Sequence, residues 1–270
     1  MVLLLMLFAV VGVVAGLIAG LFGLGGGVVM VPAMIYTFAV LAFPDAILTH
    51  LAVGTSLACI VVTASIASWT HWQKKAIDTK ILFPLAPGVI IGAWLGGVVA
   101  AKLKGIELQY AFAAFLIFVG FTMLRRVVQD QASLPGRSGL GFSALLIGAF
   151  SSLFGVGGGS MTVPFLRYCG VVMSRAVATS AALGLPIAVS GAISYMVQGW
   201  SHPQLPSGAL GFVYLPAFAG MVVCSAPASR IGAKLAHKLP AEKLQKAFAI
   251  VLLVIAAELL ISGMMTGASG

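Results

Sequence analysis

Three consecutive glycines occur twice in apolar surroundings. Gly25, Gly26 and Gly27 lie in LFGLGGGVVMVP (Leu21–Pro32), and Gly157, Gly158 and Gly159 lie in LFGVGGGSMTVP (Leu153–Pro164). The copies are 132 residues apart and identical at eight of twelve positions. Glycine weakens a helix interior by about 1 kcal/mol against alanine, so each triplet marks a break, with a helix restarting near Val28 and Ser160. The first N–H groups of a restarted helix lack an intrahelical partner, and the helix dipole adds partial positive charge there. Glycine also lets a ligand approach the backbone closely. Two such N-termini meeting near one plane make an anion site from backbone alone. Ser160 adds a hydroxyl where the first copy has Val28.

Other groups are expected near these turns. Thr55 and Ser56 follow the first motif; Thr179 and Ser180 follow the second. Their hydroxyls can donate to anionic oxygens without carrying charge, and back-bonding to a helical carbonyl is the competing use. His50 and Glu258 are the candidates for proton coupling, because ionisable groups within an apolar run are functional by default. Both sit toward the outer ends of their segments, so packing or solvation competes for His50 and snorkelling for Glu258. For Gly92, Gly96 and Gly97, close helix packing is the expected role. The glycine motif lacks the preceding strand of a dinucleotide fingerprint and the Gly-Lys-Ser/Thr of a phosphate loop. Cys59, Cys169 and Cys224 show no paired spacing, so a disulfide framework or metal site is not expected, and no cofactor motif appears.

These residues must be positioned by membrane helices. The chain of 270 residues is 61% hydrophobic and 8% charged, too apolar for a soluble domain, where about 25% is charged. Long continuous apolar runs, not alternating ones, exclude a transmembrane barrel and point to an all-α polytopic protein in a lipid bilayer. The net charge of +9 then bears on membrane sidedness and carries no signal for nucleic acid. Ten apolar segments divide five and five: 1–22, 28–42, 46–70, 81–101 and 107–125, then 139–154, 160–172, 175–199, 208–229 and 243–262. The N-terminal run lacks a basic leader and is read as a retained helix.

The repeat extends beyond the glycines. DAILTHLAVG (Asp45–Gly54) aligns with RAVATSAALG (Arg175–Gly184), and LQYAFA (Leu108–Ala113) with LQKAFA (Leu244–Ala249). The expected organisation is a first transmembrane repeat over 1–125, a cytoplasmic linker over 126–138 and a second repeat over 139–270. With five segments per half, 13 of the 15 lysines and arginines fall on one side and only Lys102 and Lys104 on the other. By the positive-inside rule, the halves are inverted and both termini lie outside an inner (plasma) membrane. Segments 28–42, 139–154 and 160–172 are shorter than the about 20 residues of a full crossing. The glycine-rich segments are therefore expected as broken or re-entrant elements meeting near the midplane, where non-helical backbone must be buried or line a cavity.

The paired motifs GLFGLGGGVVMVP and SSLFGVGGGSMTVP, together with AVGTS (Ala52–Ser56), RAVATSAALG and YLPAFAG…IGAKLAHKL (Tyr214–Leu239), resemble the TauE/SafE family over nearly the whole chain. The resemblance implies a multi-pass inner-membrane permease for sulfite or organosulfonates. The two halves depart from one another at Val53–Ser56 and Leu183–Pro186, VGTS against LGLP, so they cannot hold a ligand identically. The expected function is a secondary transporter, read as an exporter, of small sulfur-containing oxyanions. An anion channel, a permease subunit needing a partner, and a transporter of another carboxylate or oxyanion remain alternatives. A membrane enzyme is disfavoured, since no HExxH, paired carboxylates or Gly-x-Ser-x-Gly occurs. Oligomeric state is not legible.

Overall fold

A computed structural model describes residues 8–17, 26–124, 135–236 and 241–267. Ten helices appear among them. They are α1 (Phe8–Leu17), α2 (Gly27–Val40), α3 (Asp45–Gln73), α4 (Thr79–Lys102), α5 (Gly105–Leu124), α6 (Arg137–Leu153), α7 (Gly159–Tyr168), α8 (Met173–Gly199), α9 (Leu215–Ala236) and α10 (Ala241–Gly267). Four helices, α3, α4, α5 and α8, are long and apolar enough to cross a membrane. The chain is thus a multi-pass helical membrane protein.

Helix starts and stops follow local chemistry. Pro44, with φ −58°, precedes α3, and Asp78 caps α4 by accepting from the Lys80 N–H. Pro32 and Pro164 stand at matching places in α2 and α7. Each removes a donor near the start of an already short helix. At 10 residues, α7 spans only about 15 Å, half of the hydrocarbon thickness.

Small residues set the helix contacts. Gly88, Gly92 and Gly96 form a stripe on α4 that lies against α6, where a Cβ at Gly92 or Gly96 would overlap the carbonyl of Leu145 or Ala149. On the opposing helix, Gly148 faces Val89 and Ala93. The same relation recurs with the halves exchanged: Gly12 and Gly16 of α1 meet Met221 and Ser225 of α9. Beside the stripe, Ser190 and Ser194 of α8 donate to the carbonyls of Ile90 and Trp94, so α4 and α8 run parallel. In contrast, α3 and α8 cross antiparallel. Ser68 donates to the Ala181 carbonyl at 3.0 Å near one end, and Gly54 meets Tyr195 near the other. The pair α5 and α10 is also antiparallel: Gln109 donates to Leu259 O at 2.9 Å, and Gly120 faces Leu253 and Ala249.

One expected segment has a different start. Instead of a single helix over 208–229, a two-stranded hairpin precedes α9, with β1 (Ala209–Leu210) and β2 (Val213–Tyr214) antiparallel. Gly208 and Gly211 have φ of +86° and +55°, which helical residues do not adopt. This strap, residues 200–214, bends down onto α3 and α8. Phe212, Val213 and Tyr214 are buried, and Phe212 N–H donates to Tyr195 O at 3.2 Å. Tyr214 joins Phe8, Phe38 and Phe43 in an aromatic cluster.

The α4–α6 stripe yields a contrast between two glycines. Gly96→Val should destabilise the purified protein by about 1–3 kcal/mol, because the added atoms meet backbone that cannot yield. Gly141→Val, where nothing lies within 4 Å of a new Cβ, should leave the melting temperature unchanged. Thermal unfolding of both variants in detergent tests this; equal melting temperatures would refute the packing role of the stripe.

Candidate functional site

The two glycine turns meet. A Cβ at Gly27 would run into the Gly155 carbonyl, the Ile60 side chain and Val156. Gly155 in turn lies against Val31 and Val53 with φ +65°. Ser56 Oγ ties the arrangement together by donating to Gly155 O at 2.9 Å. Both helix starts are buried: Gly26 and Gly27 at α2, and Gly157, Gly158 and Gly159 at α7. Gly25 lies outside the described residues. The turns are not copies of one another. Gly26 is left-handed, with φ 78°, whereas Gly158 is right-handed, with φ −46°. A glycine-only backbone is therefore required at Gly26 and not at Gly158.

The backbone near the second turn is satisfied on one side and open on the other. Gly155 and Val156 N–H donate to Ser152 O and Ser151 O at 3.2 and 2.8 Å. The first bond into α7 runs from Thr162 N–H to Gly158 O at 2.8 Å, which leaves the amides of Gly159, Ser160 and Met161 as helix N-terminal donors. In α2, Val29 and Met30 N–H both donate to Gly26 O, so Gly27 and Val28 are the corresponding amides.

The structure separates the hydroxyls expected at this site. Thr55 Oγ1 accepts from Tyr214 N–H at 2.9 Å and so anchors the strap. Thr179 Oγ1 accepts from Asp78 N–H at 3.0 Å at the other end of the molecule, beside the Arg175–Asp78 ion pair of 3.5 Å. Ser160 and Ser180 are buried with no hydrogen-bond partner among the described residues, as are Ser151, Ser152 and Thr162. A buried hydroxyl left unpaired costs about 1–3 kcal/mol, and elsewhere in the protein Ser56, Ser65, Ser68, Ser190 and Ser194 all donate to carbonyls. Sequence reasoning missed Thr162, Ser151 and Ser152. Their legible signal was position: they flank the second GGG where the first copy carries Met30, Ala19 and Gly20.

His50 is packed, 4% exposed, with Nε2–H donating to Ala100 O at 3.0 Å and the ring 5.1 Å from Phe212. Its Nδ1 is buried without a partner. Glu258 is exposed on α10. No group of three or more His, Cys, Asp or Glu side chains placed to hold a metal occurs among the described residues.

Long apolar helices packed around a pair of buried helix N-termini define a polytopic helical membrane protein. The chain belongs to the family described as Sulfite exporter TauE/SafE, which it matches over residues 8–259. It is 34% identical to a "Probable membrane transporter protein" of Haemophilus influenzae, the match covering 93% of this chain and 96% of that one. It is 26% identical to the "Probable membrane transporter protein YunE" of Bacillus subtilis, over 95% and 97% of the two chains. A further relative of the same title, from Methanocaldococcus jannaschii, is 27% identical over 90% of each.

The bond from Tyr214 to Thr55 makes the strap testable. Thr55→Val removes the acceptor and leaves a buried N–H unpaired, a loss of about 1–3 kcal/mol. Limited proteolysis at residues 200–208 should become faster in this variant, while cleavage elsewhere keeps its rate. Unchanged cleavage would show that the strap is held without Thr55.

Proposed function

We propose that the protein is a secondary transporter, acting as an exporter, of small sulfur-containing oxyanions such as sulfite or organosulfonates. The observation that carries this reading is the convergence of the buried α2 and α7 N-termini, Gly27 against Gly155 and Val156, in a region without lysine or arginine. Backbone N–H groups and helix dipoles attract an anion there without a buried cation. The family membership favours sulfur oxyanions over other small anions. No nucleotide-binding motif is present in the sequence, so an ion gradient is the energy source this reading requires. His50, with an unpartnered Nδ1 beneath the strap, is the candidate proton-coupling group. The exposed position of Glu258 favours an interfacial role instead.

The accompanying architecture is two inverted repeats, 1–125 and 139–270, joined by 126–138. The antiparallel crossing of the equivalent helices α3 and α8, and of α5 and α10, supports inversion. So does the exchange of α4–α6 contacts for α9–α1 contacts. The Arg175–Asp78 pair brings the α8 start to the α3–α4 connection, while Gly105 lies against Asp45 and Ala46 at the opposite end. That grouping supports placing Lys74, Lys75, Lys80 and Arg175 on the cytoplasmic side of an inner membrane, with Lys102 and Lys104 outside. Helix α6 runs along α4 from the same end at which α8 begins, which supports reading α6, the glycine turn and α7 as a re-entrant hairpin.

Sidedness is checked by thiol labelling in cells, after replacement of Cys59, Cys169 and Cys224. Lys75→Cys and Lys104→Cys should label from opposite faces; labelling from one face would end the inverted reading.

Activity is checked with purified protein in liposomes. Wild type should accumulate sulfite in response to a proton gradient. Gly158→Ala fits its right-handed backbone and meets first the flexible end of Ile187. It should weaken sulfite binding about ten- to a hundredfold, the loss of one charge-assisted bond of about 1.5–3 kcal/mol at about 1.4 kcal/mol per decade. His50→Gln should keep binding and lose the dependence on pH. Gradient-independent flux through wild type would instead favour the channel.

A further inference from the structure

The two halves are alike in sequence at the turns and unlike in what surrounds them. By the alignment of Asp45–Gly54 with Arg175–Gly184, Gly54 corresponds to Gly184, and His50 to Ser180. Gly54 is filled against: a Cβ there would overlap the Phe212 carbonyl of the strap and lie 3.2 Å from Tyr195. A Cβ added at Gly184 would lie 3.8 Å from Gly158 N and 3.9 Å from the Ala64 Cβ, ordinary van der Waals contact, so Gly184 faces the second turn with room for a methyl. The crevice beside Gly54 is thus occupied by strap backbone, and its counterpart beside Gly184 is not. The hydroxyls follow the same division. Ser160, Thr162 and Ser180 are 5%, 0% and 1% exposed, and none has a hydrogen-bond partner. Thr162 Oγ1 would lie 3.2 Å from a Cβ at Gly158, so it points at the turn. On α8, Ser180 and Gly184 are one turn apart on the same face. The equivalents of Ser160 and Thr162 in the first half are Val28 and Met30, which offer no donor.

We propose that the protein has one oxyanion site, not two symmetric half-sites, and that it belongs to the second half. The N-terminal amides of α7 and the hydroxyls of Ser160, Thr162 and Ser180 donate to the anion's oxygens. Gly184 is bare so that those oxygens can reach the Gly158 turn. This deepens the transporter reading and rests on it. All the donors are neutral and several are hydroxyls, so the ligand is a compact anion with three or more acceptor oxygens, not a halide. Its route runs along the inner halves of α3 and α8, where Thr63, Ser65, Ala181 and Leu185 are only half-buried, while the outer halves are sealed by the strap. Buried donors without partners are rare in folded proteins, and removing them where no ligand is bound relieves a cost instead of adding one.

The test uses the full chain in lipid nanodiscs, titrated calorimetrically with sulfite, sulfate, thiosulfate, methanesulfonate and chloride. One anion per chain is expected. Thr162→Val and Ser180→Ala should each weaken sulfite binding at least tenfold. Gly184→Ala, whose methyl meets no protein atom closer than 3.8 Å, should fold normally and bind no sulfite measurably. Met30→Leu, at the first-half equivalent of Thr162, should bind as wild type. Two anions per chain, or equal weakening by Met30→Leu, would overturn the single-site proposal. So would wild-type affinity in Thr162→Val and Ser180→Ala, and that result would leave sulfite transport itself standing. If wild type binds none of the oxyanions, the transporter reading for sulfur oxyanions falls. The unliganded melting temperature then decides the pocket: Thr162→Val and Ser180→Ala should match or exceed wild type, and lower values would make these hydroxyls structural and overturn the proposal.

Discussion

Every buried backbone polar group must find a partner within the protein, and the buried glycine turns are where this requirement is hardest to meet. A broken helix exposes four N–H groups at its start. The structure satisfies the carbonyl side of the second turn with Ser56 Oγ on Gly155 O, and the amides of Gly155 and Val156 with the end of α6. What is left over is all of one kind: donors, on α7 and on the hydroxyls around it. The same constraint explains the packing. Gly88, Gly92 and Gly96 let α6 sit close on α4, and Ser190 and Ser194 of α8 spend their hydroxyls on α4 carbonyls. Ser180, earlier on α8, does not.

Gly27 is the point at which the halves are joined. Its missing side chain admits the Gly155 carbonyl, and Gly155 admits Val31 and Val53. A residue with a side chain at either place would push the two turns apart. It would also break the Ser56 bond that fixes the second turn relative to α3. Glycine is required here by contact, whatever ligand is present. This separates two roles: Gly27 and Gly155 hold the turns together by close backbone contact, whereas a side-chain carbon at Gly184 would meet Gly158 only at ordinary van der Waals distance. Gly26 carries a third role, because its left-handed φ of 78° is what turns the chain into α2.

Much of this arrangement was legible in the amino-acid order. The doubled GGG located both helix starts to within a residue, and the short apolar lengths of 28–42 and 160–172 foretold α2 and α7. The regular placement of small residues in IGAWLGG announced the α4 contact. Three features were not legible, for physical reasons. The strap was read as the start of a helix, because its apolar residues Phe212, Val213 and Tyr214 fit a membrane segment as well as a buried hairpin. Only the positive φ of Gly208 and Gly211 distinguishes the two. Thr55 and Thr179 were read as ligand donors; that their oxygens also accept from backbone N–H groups distant in sequence, Tyr214 and Asp78, depends on tertiary contacts that residue type does not show. Thr162 was passed over although it stands where the first copy has Met30, since the pattern does not say whether its hydroxyl finds a partner.

The strap also explains why pseudo-equivalent halves need not behave equivalently. Between α3 and α4 the connection is short, from Lys74 to Asp78, and it meets the start of α8 through Thr179 and Arg175. Between α8 and α9 it is long enough to fold back on itself and reach Gly54 and Thr55. The result is a stopper of strap backbone against Gly54 and none against Gly184. Phe212 lies between His50 and His202, at ring distances of 5.1 and 5.6 Å, so the stopper sits against the imidazole whose Nδ1 is unpaired. One segment thus closes over both Gly54 and His50, and the loop that distinguishes the two sets of connections is the one that buries this imidazole.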